Sequence, residues 1–359
     1  MRIIHALEGS GWSGGQQQAL FLAQQQHLQG HEVLLVCQKG SVLEGKAVEA
    51  GLKVRPNNYR KELHPFSLYN LLKIYDEFKP EVVNVHRAWA HTQWLLISLL
   101  RRFKGLIVTR RVLFKPDFNP VSRAKYCTSA IRGYIAVSQA VAGRLKETGV
   151  NPGRIRVVYS ATDTDRFSPL AEHQLNGPWP VGSEAKAALL VGNFHPNKGH
   201  LLLLKAFNLA AEAWPDLHLV VAGQNTDCDQ LKTLAAEKGF AGRIHLLGFR
   251  DDVPALMSRS LFTINASYQE GFSGTVRESL ALGVPVLASD IPANAEMNSL
   301  VPLRLFNCGD EKSLSQGILS FKQSPVVESE RQSLRRLAVE RFSVPAMVKA
   351  TLDAYKELL

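Results

Sequence analysis

The chain has 359 residues, of which 45% are hydrophobic and 21% are charged. This composition is typical of globular proteins and excludes a disordered or fibrous chain. Its aliphatic runs are far shorter than the ~18 residues that a membrane-spanning helix needs. The N-terminal segment lacks a signal peptide's apolar region, so we expect a cytoplasmic protein. The four cysteines form no CxxC pair, which argues against a zinc site and a disulfide framework.

The formal net charge of +10 is concentrated in the first half of the chain. Residues 1–170 contain 24 basic and 12 acidic residues, whereas the remainder contains 18 and 20. Residues 101–132 contain nine basic residues and one acid, Asp117, interleaved with Phe103, Leu113, Phe114 and Phe118. This mixture predicts contact with an anionic membrane surface, which places the protein peripherally on the inner face of the membrane. Phosphates on a soluble acceptor, or a solvated face, are the alternatives, and we expect no nucleic-acid binding.

Strands alternate with helices along the first half of the chain, which predicts a parallel, doubly wound sheet. The predicted strands are Arg2–Leu7, His31–Cys37, Val82–Val85, Gly105–Thr109, Gly133–Val137 and Ile155–Val158. The predicted helices are Gln16–Gln29, Trp94–Arg102 and Gln139–Thr148. Residues 168–185, with three prolines and two glycines, then interrupt the pattern. We therefore predict a first domain of residues 1–168, a linker of residues 169–185 and a second domain of residues 186–359, whose last helix could pack back on the first.

The second half repeats the same plan. Its predicted strands are Ala187–Val191, Leu217–Ala222, Ile244–Leu247, Leu261–Ala266 and Val284–Ala288. Its predicted helices are Leu201–Trp214, Asp229–Lys238, Val253–Ser258 and Gly274–Leu282, followed by a C-terminal helical region. The fold class is therefore α/β, with two Rossmann-like domains that are expected to face each other across a cleft.

Residues 266–290, ASYQEGFSGTVRESLALGVPVLASD, carry the most specific chemical signal. A strand ends here, Gly271 and Gly274 allow a tight turn, and a helix begins with free N–H groups. A helix N-terminus at the carboxyl end of a strand is suited to a diphosphate. Glu270 and Glu278 flank this site and are suited to accept hydrogen bonds from sugar and ribose hydroxyls. From the spacing alone, the two carboxylates could equally be capping or surface residues.

This segment resembles the E-x7-E signature of retaining glycosyltransferases with the GT-B fold, family 4 type. The resemblance extends to VGNFHPNKG at residues 191–199, LGFRDDVP at 247–254, IAVS at 135–138 and DTDRF at 163–167. The sequence departs from the family pattern at Ser273, Ser279 and Ser160-Ala161. It also has Asn193 where the family commonly has an arginine.

The resemblance implies a nucleotide-sugar site in the second domain and an acceptor site in the first. It assigns Lys198 to the donor diphosphate, where a metal-free enzyme must supply a cation for the leaving group. The implied catalytic residues are Glu270, Lys198 and His86. The implied donor-binding residues are Gly14, Gly15, Asn193, Phe249, Arg250, Gly271, Phe272, Ser273, Gly274, Thr275 and Glu278.

We therefore predict a retaining, metal-independent transferase of lipopolysaccharide or polysaccharide biosynthesis. It would move a sugar from a UDP- or GDP-linked donor to a cell-envelope glycan or lipid-linked acceptor, with no resident cofactor. The DxD patterns at Asp163–Asp165 and Asp227–Asp229 are too short to predict a metal site. A non-catalytic relative that binds sugars or nucleotides, and a nucleotide-sugar epimerase, remain alternatives. An NAD enzyme is less consistent, because LLVCQK at residues 34–39 offers no acid for the ribose.

Overall fold

The computed structural model of the protein describes residues 1–113, 120–169, 174–182, 185–236 and 241–359. These residues form two compact units. The first unit comprises Met1–Ala161 and Val344–Leu359, and the second comprises Thr162–Ser343. The first unit thus ends at Ala161 rather than at residue 168. Phe167, just before the predicted linker, and Val181, within it, are both buried in the core of the second unit.

The first unit is built on a parallel sheet. Within its described residues the sheet has seven strands, in the order β3-β2-β1-β4-β5-β6-β7. The strands are β1 (Arg2–Leu7), β2 (Glu32–Gln38), β3 (Lys53–Asn57), β4 (Val82–Val85), β5 (Leu106–Arg110), β6 (Gly133–Ala136) and β7 (Ile155–Val157). The helices between them are α1 (Gly14–Leu28), α2 (Val42–Glu49), α3 (Pro65–Phe78), α4 (Ala88–Arg101), α5 (Pro120–Cys127) and α6 (Gln139–Glu147).

The second unit repeats this architecture. Its described residues form a six-stranded parallel sheet in the order β10-β9-β8-β11-β12-β13. The strands are β8 (Lys186–Val191), β9 (Leu217–Ala222), β10 (Ile244–Leu246), β11 (Phe262–Asn265), β12 (Val286–Ser289) and β13 (Arg304–Phe306). The helices are α7 (His200–Ala213), α8 (Asp229–Ala236), α9 (Val253–Ser258), α10 (Gly274–Ala281), α11 (Pro292–Leu300), α12 (Glu311–Gln323) and α13 (Glu328–Phe342).

The last helix, α14 (Val344–Leu358), belongs to the first unit. Its buried face, which includes Val348 and Tyr355, packs in one core cluster with Val82 of β4 and Ile107 of β5. The Tyr355 hydroxyl also accepts a hydrogen bond from Asn84 Nδ2 at 2.7 Å. The chain therefore leaves the first unit after β7 and returns to it only to complete its core.

The structure confirms the predicted fold class of two parallel α/β domains. The strands with buried apolar runs, such as β1, β4 and β9, lie where the sequence predicted them. The prediction missed β3, α2, α3, α5 and β13. β3 is an edge strand that is mostly exposed and contains Pro56, so it lacks the apolar pattern by which a strand is recognised. Helix α8 is described to Ala236, and the last two residues of that predicted helix lie outside the described residues.

Residues 101–132 do not form one exposed basic segment. They include β5, whose residues Leu106–Thr109 are buried inside the sheet. Arg101 forms a bidentate ion pair with Asp76, at 2.8 and 2.6 Å. Phe114, Lys115, Asp117 and Phe118 lie outside the described residues. In the part of the chain that is described, no helix combines the length and the apolar character needed to cross a bilayer.

Candidate active site

The candidate site in the second unit lies where the strand order reverses. β8 and β11 are neighbours, but the chain runs outwards from β8 through β9 to one edge before it returns to β11. In open α/β sheets, the loops that leave two such strands diverge and open a crevice at the strands' carboxyl ends. The loops here are residues 192–199 and 266–273, which contain four of the predicted donor-binding residues and both predicted catalytic residues of this unit.

These two loops contact each other closely. Gly199 has a φ of +69°, and a Cβ added to it would lie 2.1 Å from the carbonyl oxygen of Ala266, so only glycine fits there. Tyr268 N donates to the carbonyl of Asn197 at 2.8 Å. The contact between the loops places the short helical turn Pro196–Lys198 beside the segment that carries Glu270.

Lys198, in the first of these loops, and Glu270, in the second, form an ion pair. Lys198 Nζ lies 2.6 Å from Glu270 Oε1, and their side chains are 38% and 13% exposed. Ser267 Oγ donates to the same carboxylate oxygen at 2.8 Å. The two residues predicted to be catalytic in this unit are therefore in direct contact, and the lysine remains accessible to solvent.

The N-terminus of α10 offers an anion site next to this pair. Its N-cap residue, Ser273, makes no side-chain bond to the helix backbone, and the first turn contains no acidic residue. Ser273 Oγ instead accepts a hydrogen bond from Asn265 Nδ2 at 3.3 Å and lies 3.3 Å from Thr275 Oγ1. The first N–H groups of the helix, at Gly274 and Thr275, are thus left for a ligand. Gly271 and the buried Phe272 complete the turn that precedes them.

Glu278 lies within the same helix, beside two arginines. Burial raises the pKa of its carboxyl group, and the positive charges of Arg277 and Arg166 oppose that rise. Ser279, which replaces the family's alanine, accepts a hydrogen bond from Thr263 Oγ1 at 2.7 Å and ties α10 to β11. The departure from the family pattern at this position therefore has a structural role.

Arg277 is a site residue that the sequence analysis missed. Its side chain is only 5% exposed. Its Nε donates to the Ser273 carbonyl at 3.2 Å and its Nη1 to Thr162 Oγ1 at 3.4 Å. Burial lowers its pKa to about 10, while Glu278 and Glu270 oppose the shift, so it remains charged at neutral pH. A charged residue on the buried face of a short helix is the signal that could have identified it.

The remaining predicted donor residues of this unit lie in neighbouring loops. Asn193 Oδ1 accepts from Gln224 N at 3.0 Å, which joins the loop after β8 to the loop after β9. Phe249 is 66% exposed. Arg250 forms a bidentate ion pair with the buried Asp252, whose pKa is lowered chiefly by that hydrogen bonding. The Arg250 guanidinium is thus held in place by its own loop.

In the first unit, the equivalent reversal lies between β1 and β4. His86 directly follows β4 and is 6% exposed. Gly14 and Gly15 begin α1, and a Cβ on Gly14 would meet nothing within 4 Å. The carboxylate of Glu8, which follows β1, accepts from Trp89 N and Ala90 N, both at 3.1 Å, and so occupies the N-terminus of α4.

The DxD pattern at Asp163 has a local structural role. Asp163 Oδ1 accepts from Asp165 N at 3.2 Å and from Arg166 N at 3.0 Å, which stabilises a turn. Among the side chains that the structure describes, no group of three or more His, Cys, Asp or Glu is arranged to hold a metal ion.

Comparisons with known proteins give matches to two glycosyltransferase family models. Residues 176–339 match the family described as Glycosyl transferases group 1. Residues 12–166 match Glycosyltransferase Family 4. Two solved structures share the fold over nearly their whole length. A glycosyltransferase of Rickettsia africae has a TM-score of 0.87 at 20% identity, with 99% of this chain and 98% of that chain covered. HepE of Anabaena, solved with UDP, has a TM-score of 0.83 at 17% identity, with 98% and 99% covered.

Two curated relatives match shorter segments. The first is the N-acetylgalactosamine-N,N'-diacetylbacillosaminyl-diphospho-undecaprenol 4-alpha-N-acetylgalactosaminyltransferase of Campylobacter jejuni. It is 28% identical over 217 residues, which is 58% of this chain and 55% of that protein. The second, the lipopolysaccharide core biosynthesis glycosyltransferase LpsE of Rhizobium meliloti, is 25% identical over 243 residues, or 67% and 66%. The match thus spans less than two thirds of each relative. The two glycosyltransferase models together cover most of residues 12–339, with the Family 4 model on the first part of the chain and the group 1 model on the second.

Proposed function

We propose that this protein is a retaining, metal-independent glycosyltransferase. It would transfer a sugar from a nucleotide-sugar donor to a lipid-linked or lipopolysaccharide-type acceptor. The observation that carries the proposal is the accessible Lys198–Glu270 pair beside the open N-terminus of α10. A cation, a carboxylate and free N–H groups within one crevice suit a ligand that joins a diphosphate to a sugar.

Each group at this crevice has a distinct task in the proposed reaction. The α10 N–H groups and Lys198 bind the donor diphosphate, and Lys198 neutralises the charge that develops as the diphosphate leaves. Glu270 accepts hydrogen bonds from the transferred sugar, and Glu278 accepts them from the ribose. Because Lys198 contacts Glu270 in the ligand-free structure, the donor diphosphate would compete with this carboxylate for the lysine.

Arg277 offers a second positive charge beside that of Lys198. The family commonly has an arginine for this purpose where this chain has Asn193. Its buried guanidinium is held against the first turn of α10 by its bond to the Ser273 carbonyl. A buried charge acts through a low dielectric, so it stabilises a nearby anion more strongly than a solvated charge at the same distance. Arg277 would therefore favour diphosphate binding even without direct contact.

The names of the relatives support the choice of substrates. HepE was solved with UDP, and also with UDP-glucose. The Campylobacter enzyme's name specifies a diphospho-undecaprenol acceptor. Another relative, from Mycobacterium tuberculosis, is named phosphatidyl-myo-inositol mannosyltransferase. We propose a UDP-linked donor and a lipid-linked acceptor for this chain by analogy with these names.

Retention would follow from attack of the acceptor hydroxyl on the same face of the sugar from which the diphosphate leaves. The acceptor oxygen forms the new glycosidic bond, the bond to the diphosphate breaks, and the departing phosphate takes the hydroxyl proton. This mechanism follows from the family resemblance and needs no enzymic nucleophile. A nucleotide-sugar epimerase or a non-catalytic relative is less consistent, because the curated relatives named above are transferases.

Donor binding and product analysis test the proposal. We expect UDP to raise the melting temperature more than GDP does, because a ligand at 100 times its dissociation constant adds about 2.7 kcal/mol of stability. Turnover of the matching nucleotide sugar with a lipid-linked acceptor should give a product with the anomeric configuration of the donor. An inverted product would contradict retention. Epimerised donor without transfer, or binding without any turnover, would establish one of the alternatives.

We also propose that the first unit contacts an anionic membrane surface. Three large apolar side chains are exposed on α3 and the loop before it: Leu63 at 63%, Phe66 at 80% and Tyr69 at 71%. We call them the α3 apolar patch. The adjacent Arg60 and Lys61 are also exposed. Apolar and basic residues together suit a peripheral membrane contact, in which each cation contributes about 1 kcal/mol near an anionic surface.

Vesicle sedimentation tests this proposal. With vesicles that contain phosphatidylglycerol, the Leu63→Ser/Phe66→Ser variant should bind less than the wild type. The matched control is Leu99→Ser/Leu100→Ser. It alters two exposed leucines that also adjoin basic residues, Arg101 and Arg102, at the C-terminal end of α4. Equal binding of the wild type to neutral and anionic vesicles would contradict the proposal, as would unchanged binding of the Leu63/Phe66 variant.

A further inference from the structure

Two histidines lie side by side at the β1/β4 switch point of the first unit. His5 belongs to β1 and His86 directly follows β4, and the backbone N of His86 donates to the Ala6 carbonyl at 3.0 Å. His5 Nδ1 lies 3.1 Å from His86 Nε2. The ring centroids are 5.3 Å apart, and both residues are buried. The two imidazoles therefore share one hydrogen bond, which contains a single proton.

A third buried side chain sets the direction of this hydrogen bond. Gln26 Oε1, on α1, lies 2.8 Å from His5 Nε2. An amide oxygen can only accept, so the proton of a neutral His5 must reside on Nε2. His5 Nδ1 then has a lone pair and accepts from His86 Nε2–H. His86 Nδ1 is thereby left as an acceptor. It is buried and has no hydrogen-bond partner among the residues that the structure describes.

The surroundings keep both histidines neutral, which this arrangement requires. Burial lowers the pKa of His5 to about 4, and the positive charge of Arg111, which follows β5, adds to the effect. The pKa of His86 is held well below its usual value by burial, by Arg111 and by His5. Tyr355 on α14 lies near Gln26, and its own pKa is raised by burial, so it too is uncharged.

We propose that His5 is a positioning residue that holds His86 in the tautomer with its proton on Nε2, so that His86 Nδ1 accepts a hydrogen bond from a sugar hydroxyl. The inference rests on the proposed function through the role given to His86. The switch point is where ligands bind in open α/β sheets, and an unpaired buried acceptor there is costly unless a ligand supplies a donor. The hydrogen bond that one ring nitrogen of a histidine makes fixes the tautomer, and so decides whether the other nitrogen donates or accepts.

Nuclear magnetic resonance of the full chain, labelled with ¹⁵N-histidine and free of ligand, tests the inference without any transferase assay. Long-range ¹⁵N–¹H correlations at pH 7 distinguish the two tautomers, and His86→Gln assigns the signals. We expect His86 to show an unprotonated Nδ1 and a protonated Nε2. His5→Phe removes the acceptor and should abolish this single-tautomer signature. His5→Asn should preserve it, because an amide oxygen can replace Nδ1 as the acceptor.

The chain contains a matched control in its second unit. His218 and His245 also contact each other, with Nδ1 and Nε2 2.9 Å apart, and His218→Phe should leave the His86 signals unchanged. A proton on His86 Nδ1 in the wild type would overturn the inference. So would an unchanged His86 signature in folded His5→Phe. If His5→Phe does not fold, the wild type and His5→Asn still test the inference. Loss of the single-tautomer signature of His86 in His5→Asn would also overturn the inference. None of these outcomes bears on whether the protein transfers sugars.

Discussion

The two sheets place different chemistry at the same topological position. At the β8/β11 switch point of the second unit, the oppositely charged Lys198 and Glu270 meet with partial exposure to solvent. At the β1/β4 switch point of the first unit, His5 and His86 meet as buried neutral groups. Equivalent strand order thus supports a charged site in one unit and a neutral polar site in the other.

The difference follows from the free-energy cost of removing each kind of group from water. A charge that must meet an anionic ligand remains near water until the ligand replaces that water, because an ion buried without a partner is very costly. A neutral imidazole can be buried at lower cost when its neighbours complete its hydrogen bonds. The comparison therefore predicts that the second unit binds the diphosphate and that the first binds hydroxyl groups.

The largest expected effect follows from removing the charge at the second switch point. Lys198→Ala should lower turnover by about 10²- to 10³-fold, as is typical for loss of one group that stabilises developing negative charge. Steady-state kinetics and a thermal unfolding curve measure it together. Lys205→Ala, which alters an exposed lysine on the next helix, should leave turnover unchanged. Equal turnover of Lys198→Ala and the wild type would remove the lysine from the site.

Acid should weaken the first switch point. The ordinary pKa of 6.5 for His5 falls to about 4 in the folded protein. Between these values the unfolded chain binds more protons than the folded chain, so the free energy of unfolding decreases as the pH falls from 6.5 to 4. The loss from His5 amounts to about 3 kcal/mol. Urea unfolding across this range measures it, and His5→Asn should show a smaller pH dependence. An identical dependence in both proteins would contradict the shifted pKa.

The two carboxylates of the second site should respond differently to removal. Glu278→Ala should weaken donor binding by about tenfold, which is ~1.4 kcal/mol, because a ribose contact persists from the ground state to the transition state. Glu270→Ala should lower turnover without weakening donor binding, since its removal frees Lys198 for the diphosphate. Calorimetric titration with the donor and steady-state kinetics separate the two effects. Wild-type affinity in Glu278→Ala would refute the ribose assignment.

The smallest expected effect is the response to metal removal. If Lys198 and Arg277 supply the positive charge at the diphosphate, EDTA or added magnesium should change turnover little. The measurement compares initial rates after dialysis against EDTA with and without restored magnesium. Abolition of activity by EDTA, with recovery on adding magnesium, would show that protein cations alone are insufficient.

Much of the fold could be predicted because its central strands are encoded locally. Strands such as β1 and β9 are buried over most of their length, so their apolar runs identify them without knowledge of their partners. Edge strand β3 is exposed and polar, and only its pairing with β2 makes it a strand. The boundary at Ala161 was not evident either, because it depends on where Phe167 packs.

The candidate site was predictable as a set of positions but not as a set of contacts. The motif places Glu270 and Glu278 beside a helix N-terminus, since the turn and the helix are local features. The bond between Arg277 and Thr162 joins residues 115 positions apart, and that between His5 and His86 joins residues 81 positions apart. Local pattern cannot show which distant polar groups meet. The ion pair of Arg250 with Asp252, two residues away, could have been anticipated from the sequence.

The placement of α14 has a consequence for synthesis of the protein. The core of the first unit is incomplete until helix α14, residues 344–358, has been made, although the seven described strands of its sheet are complete by Val157. At 5–20 residues per second, translation of the intervening segment 162–343 takes roughly 10 to 35 s. During that interval the apolar surface formed by Val82, Ile107 and Ile135 lacks the α14 residues that pack against it in the folded chain. We therefore expect the nascent first unit to be a chaperone client, and its core to be completed only after residues 344–358 have emerged from the ribosome, although its own strands emerge much earlier.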